Sequence, residues 1–171
     1  NGAGKSTIFK LINKSLSPKI GSVNTPADTT IATAYQVVLP EDKDLTVQEF
    51  FRKYYPDKDE FNIDKQIGDI LQVVNLRAPL HKKIIAFSGG QQARLLLAAA
   101  LIQNPDILLL DEPTNNLDSE GIWHLTDFLQ NYTKTVLVIS HDADFLNSFT
   151  DGVLYLDVYT KKVEQYVGNY Y

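Results

Sequence analysis

The pattern of apolar positions changes character several times along the chain. Residues 6–13 place Ile8, Leu11 and Ile12 at spacings of three and four, which predicts a short helix. Residues 15–26 are rich in Ser, Pro and Gly and predict a turn or short hairpin. The stretch TTIATAYQVVL at 29–39 is β-branched and apolar, ends at Pro40 and predicts a strand. Helical periodicity then returns. Thr46-Val47-Gln48-Glu49 is a capping-box pattern ahead of Phe50-Phe51, and 61–76 repeats apolar residues at Ile63, Ile67, Ile70, Leu71 and Val74. An Ala- and Leu-rich helix is expected over 90–103, stopped before Asn104-Pro105.

Two unbroken apolar runs follow, Ile107-Leu108-Leu109-Leu110 and Val136-Leu137-Val138-Ile139. Continuous apolarity predicts parallel strands covered on both faces. Between them 119–131 predicts a helix with Ser119 as its N-cap, and 153–159 with 162–167 predicts a hairpin. The alternation implies an α/β fold: a right-handed parallel sheet with a helical insert and an antiparallel hairpin near the C-terminus, as a sheet edge. We expect one domain over 1–171, in which 41–100 is a helical insert between strand-rich parts at 1–40 and 101–171.

Composition narrows the function classes. With 171 residues and 44% hydrophobic content the chain can bury one sizeable core. A net charge of −5 disfavours a domain whose own surface grips nucleic acid. The absence of cysteine excludes disulfides and thiolate metal sites. No apolar run reaches the roughly 18 residues of a membrane span. No signal-peptide pattern is present at the start, and no methionine occurs, so the chain is expected to be a fragment.

Three stretches carry candidate chemistry. Asn1-Gly2-Ala3-Gly4-Lys5-Ser6-Thr7 matches the latter part of G-x-x-x-x-G-K-[ST], without its first glycine. Such a loop lets backbone N–H groups and a helix N-terminus converge on phosphate, with Lys5 reaching the β and γ phosphates and Ser6 ligating Mg²⁺. Taken alone it is equally a glycine-rich turn with an exposed lysine. Asp111-Glu112 ends a buried strand, where α/β sheets bind ligands. There Asp111 would orient Mg²⁺ or its water and Glu112 would polarise a water in line with the γ phosphate, although such a pair can also cap a strand before Pro113. Coupled to a phosphate loop upstream, the chemical reading prevails. Ser88-Gly89-Gly90-Gln91 precedes a long helix, either as an ordinary N-cap or as a second anion site. Two such sites suggest two nucleotides shared between two copies of the domain.

The string FSGGQQARLLLAAALIQNPDILLLDEPTNNLD resembles the signature, Walker B and D-loop block of ATP-binding cassette (ABC) ATPases. Lys5 and Ser6 occupy the Walker A position, Gln36 the Q-loop position and His141 the switch-histidine position. The resemblance implies a P-loop NTPase-type parallel sheet in one partial domain over 1–171, with 1–40 and 101–171 as a RecA-like core and 41–100 as the helical subdomain. It also implies that ATP and Mg²⁺ are the cofactors and that the domain hydrolyses ATP. Gln36 would contact Mg²⁺ or the attacking water, and His141 would hydrogen-bond the γ phosphate. Asp118 would face a second ABC domain, expected in the same chain and joined head to tail around two ATP molecules. His81 and His124 match no motif and read as surface or helix-face residues, while Arg94 positions the signature helix.

DEPTNNLD, SHDADFLNSFTDGVLYLD and YVGNYY resemble the first ABC domain of the ABC-F branch. These are soluble, cytoplasmic, ribosome-associated proteins. The resemblance implies a translation factor that meets the ribosome and its RNA through regions outside this chain. The alternatives are the ATPase subunit of a membrane transporter, or a non-enzymatic remnant. Phe87 replaces the usual leucine of the signature, and Gln92 stands where many members carry a basic residue. Without the strand that feeds the Walker A loop, the 171 residues alone are expected to bind ATP weakly and to be inactive.

Overall fold

A computed structural model describes residues 4–57, 62–157 and 159–168. Asn1, Gly2 and Ala3 of the candidate phosphate loop lie outside the described residues. The chain begins with α1 (Lys5–Ile12), then β1 (Ile31–Ala34), and residues 15–26 between them form no strand. A 3-10 turn (Pro40–Asp42) leads to α2 (Val47–Tyr54), α3 (Ile63–Val73) and α4 (Gly89–Ile102). Then come β2 (Ile107–Asp111), α5 (Ser119–Gln130), β3 (Thr135–Ile139), α6 (Ala143–Phe149) and the strands β4 (Gly152–Leu156) and β5 (Val163–Val167).

Strands β1, β2 and β3 form a parallel sheet in that order, with Ala34 opposite Leu110 and Asp111 opposite Ile139. The connections run through helices, as parallel pairing requires. Leu108, Leu109 and Leu110 of β2 are fully buried. Alternation sends Leu108 and Leu110 to one face and Leu109 to the other, so the central strand is covered on both sides. Each such leucine contributes about 1.5–3 kcal/mol by its removal from water. Helix α4 packs on β1 and β2 with an almost continuous buried surface from Leu95 to Ile102, and α3 packs on α4.

Polar ties set the register at the amino ends of the strands. The Asp106 carboxylate accepts from the Thr30 backbone N–H at 2.9 Å and from its hydroxyl at 3.0 Å, with Lys134 Nζ at 3.6 Å. These bonds, Thr30's first, hold the Asp106 carboxyl below its usual range. Both anticipated caps form. Thr46 with Glu49, and Ser88 with Gln91, are reciprocal capping boxes at the starts of α2 and α4.

Several expectations are corrected. The strand foreseen over 29–39 pairs only from Ile31 to Ala34, and the chain then bends away from β2. Val37 and Leu39 are left exposed. The N-cap of α5 is Asp118, not Ser119: its carboxylate accepts the Gly121 N–H at 2.9 Å. Strand β3 is only half-buried, since among the described residues it has a neighbour on one side alone. The β4–β5 hairpin forms a separate antiparallel sheet rather than an edge of the parallel one. Helix α6, capped by Asp142, was not legible in the sequence pattern.

Candidate functional site

The carboxyl ends of all three parallel strands and the start of α1 meet at one place. Gly4, at φ 87°, lies in the left-handed region that favours glycine and turns the chain into α1. The first helical bond is donated by Ile8 N–H to the Gly4 carbonyl at 3.1 Å. The N–H groups of Lys5, Ser6 and Thr7 therefore precede the helical ladder and have no hydrogen-bond partner among the described residues, as an anion-binding helix start requires. The Lys5 ammonium has no ion-pair partner among the described residues.

Ser6 Oγ donates to Asp111 Oδ2 at 2.8 Å, so the loop and the end of β2 share one polar centre. From the end of β1, Gln36 Nε2 donates to the Asp111 carbonyl at 3.5 Å. Glu112 follows at φ 49°, an uncommon conformation for a residue with a side chain, costing roughly 1–2 kcal/mol. Its N–H donates to the Ile139 carbonyl of β3 at 2.7 Å, which fixes the strained turn to the neighbouring strand. The largely buried Glu112 side chain places Oε1 3.2 Å from Nε2 of the exposed His141 imidazole. The His141 N–H also lies 3.4 Å from Glu112 Oε2. Beside this pair an open cleft is lined by Thr114, Asn115, Ile122 and Asp142.

Ser6, Gln36, Asp111, Glu112 and His141 are thus one constellation. No group of three or more His, Cys, Asp or Glu side chains suited to holding a metal occurs among the described residues. The donor set here, one hydroxyl and one carboxylate beside the N–H groups that open α1, suits Mg²⁺ that arrives with phosphate and water oxygens. In this arrangement Gln36 donates through Nε2 to the Asp111 carbonyl, which leaves its amide oxygen free among the described residues.

The signature residues lie elsewhere. Ser88 Oγ accepts the Gln91 N–H at 3.3 Å, and Gln91 Oε1 accepts the Ser88 N–H at 3.0 Å. Ser88 and Gly89 are exposed, and Gly90 approaches the Asn116 side chain of the loop after β2. No hydrogen bond or ion pair among the described residues joins Ser88, Gly89, Gly90 or Gln91 to the Ser6–Asp111 centre. The starts of α1 and α4 are thus not joined by a direct polar contact among the described residues.

Asp118 works within its own domain. Besides capping α5 it accepts from the Asn75 amide at 3.1 and 3.2 Å, and Arg94 stands 3.9 Å away. The Gly121 N–H first, then the Asn75 amide and the Arg94 charge, hold its carboxyl below the usual range. Arg94 also donates Nε to the Asn116 carbonyl at 2.6 Å and a terminal nitrogen to the Asn75 carbonyl at 3.0 Å. His124, read as a helix-face residue, contacts the Gln72 carbonyl at 3.0 Å. Asn75 escaped the sequence reading. Its one local signal is an asparagine just past a helical run, a common left-handed terminator.

A phosphate-ready helix start, a strand-end Ser–Asp pair and an adjoining Glu–His pair define an α/β nucleotide-binding domain of the P-loop class. A family model described as "ABC transporter" matches residues 1–115, and the chain belongs to this ABC family of ATP-binding domains. The Bacillus subtilis protein named "Uncharacterized ABC transporter ATP-binding protein YkpA" is 33% identical, over 99% of this chain and 37% of its own length. "ATP-binding protein Uup" of Buchnera aphidicola is 33% identical over 99% of this chain and 28% of its own. Relatives of the Uup and YheS type are ABC-F ATP-binding proteins. The chain spans about a third of the length of these curated relatives.

Among solved structures, one titled "Dimeric Structure of MJ0796, a Bacterial ABC Transporter Cassette" superposes with a TM-score of 0.78 at 26% identity. It covers 100% of this chain and 83% of that one. An archaeal ribosome recycling factor, aABCE1, solved in complex with the ribosomal stalk protein aP1, superposes at 0.73 and 26%. It covers 96% of this chain and 32% of that one. No helix among the described residues is long and apolar enough to cross a membrane.

Proposed function

We propose that this chain is the first ABC domain of a two-domain ABC-F protein. In this reading ATP binding and hydrolysis switch the protein between a closed, ribosome-bound state and an open, released one. The observation that carries the catalytic part is the side-by-side placement of the Ser6–Asp111 and Glu112–His141 pairs at the strand ends. When bound, Mg²⁺-ATP supplies the phosphoryl group and the charge that this centre neutralises. Lys5 and the N–H groups of Lys5, Ser6 and Thr7, with Asn1, Gly2, Ala3 and Gly4, hold the phosphates. Ser6 and Asp111 hold the metal, aided by Gln36. Glu112 orients a water and accepts its proton, and His141 steadies both the Glu112 carboxylate and the γ phosphate. Ser88, Gly89, Gly90 and Gln91 present their helix start to the nucleotide of a second domain.

Two similarities support the wider reading. The domain resembles cassettes that dimerise, and one solved neighbour is a ribosome recycling factor. The test uses Glu112→Gln in the full-length protein. It should still bind ATP, lose turnover by about 100-fold or more, and co-sediment with ribosomes when ATP is present. Unchanged turnover removes Glu112 from its role. Co-purification with membranes instead of ribosomes turns the reading towards a transporter ATPase.

A further inference from the structure

Glu112 holds a left-handed backbone conformation that its local sequence does not favour, so the surrounding structure must impose it. On one side the constraint is the bond from Glu112 N–H to β3. On the other the chain runs directly into the loop 113–118, and that loop is tied down from outside the sheet. Asn75, itself at φ 48°, ends the α3 segment and projects its amide onto both Asp118 oxygens and onto Glu120 Oε2 at 3.2 Å. Arg94, on α4, clasps the Asn116 carbonyl with Nε and the Asn75 carbonyl with a terminal nitrogen. One guanidinium thus bridges the loop to the residue that also grips the loop's far end.

We propose that Asn75 and Arg94 are positioning residues for ATP hydrolysis: together with Asp118 they lock loop 113–118 to the helices α3 and α4 and so hold Glu112 in its working conformation. Neither side chain is in the Ser6–Asp111–Glu112–His141 constellation, and both act through it. The lock also joins α4, whose start carries the signature motif, to the strand end carrying Glu112, so movement of one is felt by the other. A neutral amide suits this post. Its N–H groups answer two carboxylates at once, and asparagine tolerates the left-handed backbone. Arginine's rigid fork reaches the two carbonyls from two different nitrogens, a geometry that a lysine's point charge does not reproduce.

The inference rests on the ATPase reading above, and the test separates the two. In the full-length protein, Asn75→Gly keeps the left-handed backbone at no steric cost and removes only the amide. We expect kcat to fall about fivefold, with KM for ATP and the melting temperature little changed, because substrate binding does not pass through Glu112. Asn75→Asp, facing Asp118 and Glu120, should lower kcat further. Arg94→Lys should lower it by a similar factor of about five to ten, since one of the two carbonyl bonds is lost. In a Glu112→Gln background the same changes should alter single-turnover rates by less than about twofold, because effects transmitted through one residue do not add. The inference is overturned if Asn75→Gly and Arg94→Lys leave kcat unchanged. It is equally overturned if kcat and ATP affinity fall together with stability, or if the losses persist without Glu112. A wild-type protein with no turnover for Glu112→Gln to remove overturns the ATPase reading and this inference together.

Discussion

Asp42 is the one fully buried charged side chain among the described residues, at 1% exposure, and its replacement gives a local test of the fold. Its carboxylate receives Lys53 Nζ at 2.5 Å and the Tyr54 hydroxyl at 2.8 Å, both from the last turn of α2. The pair with Lys53 is worth little, because that side chain is 43% exposed and can return to water. The bond from half-buried Tyr54 to a buried carboxylate is worth about 1.5–2 kcal/mol, and its loss strands a phenol. Truncation also relieves Asp42 of its own desolvation, which holds the sum for Asp42→Ala near 2 kcal/mol. That corresponds to roughly 30-fold faster amide exchange wherever α2 opens with this contact. Hydrogen–deuterium exchange at Phe50, Phe51 and Tyr54 reads it directly. Asp42→Asn keeps an acceptor for Tyr54 and should accelerate exchange only about fivefold. Exchange within threefold of wild type in the alanine variant would refute the assignment, and an asparagine variant as fast as alanine would refute the share given to Tyr54.

Two further outcomes follow from the same geometry. Ser88→Ala should destabilise α4 by about 1 kcal/mol through loss of the cap, whereas Ser88→Gly should cost only a few tenths; a glycine variant with normal melting but reduced ATPase activity isolates the hydroxyl's role towards the second domain, and normal activity removes that role. Burial, and then the Asp106 charge, push the Tyr132 hydroxyl up to about 12. A raised folded value means the protonated phenol favours folding, so its stabilisation is complete below about pH 10 and is lost as pH rises towards 12. Urea midpoints across that range should fall less steeply in Tyr132→Phe, and equal slopes would exclude the tyrosine as the source.

Much of the helical architecture was legible because it rests on local rules. Apolar spacing located α1 and α3, Ala and Leu content located α4, and Thr46-x-x-Glu49 marked the start of α2 through a motif that closes within one turn. The apolar run of β2 announced a strand covered on both faces, and it is. Where the reading slipped, a non-local term was involved. Nothing local in TTIATAYQVVL says that pairing with β2 stops at Ala34, where the chain leaves the sheet. Val136 to Ile139 carries the pattern of a buried strand, yet β3 is half-buried because coverage depends on neighbours across the sheet. Asp118 won the cap from Ser119 by accepting the Gly121 N–H while also answering Asn75 and Arg94.

The sequence by itself determined which chemical groups are present and in what order: a lysine and serine at a helix start, acids at a strand end, a histidine at the next. Order along the chain carries this information because parallel strands bring their carboxyl ends to one edge. The tertiary structure alone decided how those groups act on one another. Ser6 meets Asp111 across a separation of 105 residues, Glu112 takes a strained backbone fastened to β3, and Asn75 reaches Asp118 from another helix. These contacts depend on packing α3 and α4 against the sheet, a balance of burial and chain entropy summed over the whole core, which no single stretch of residues contains.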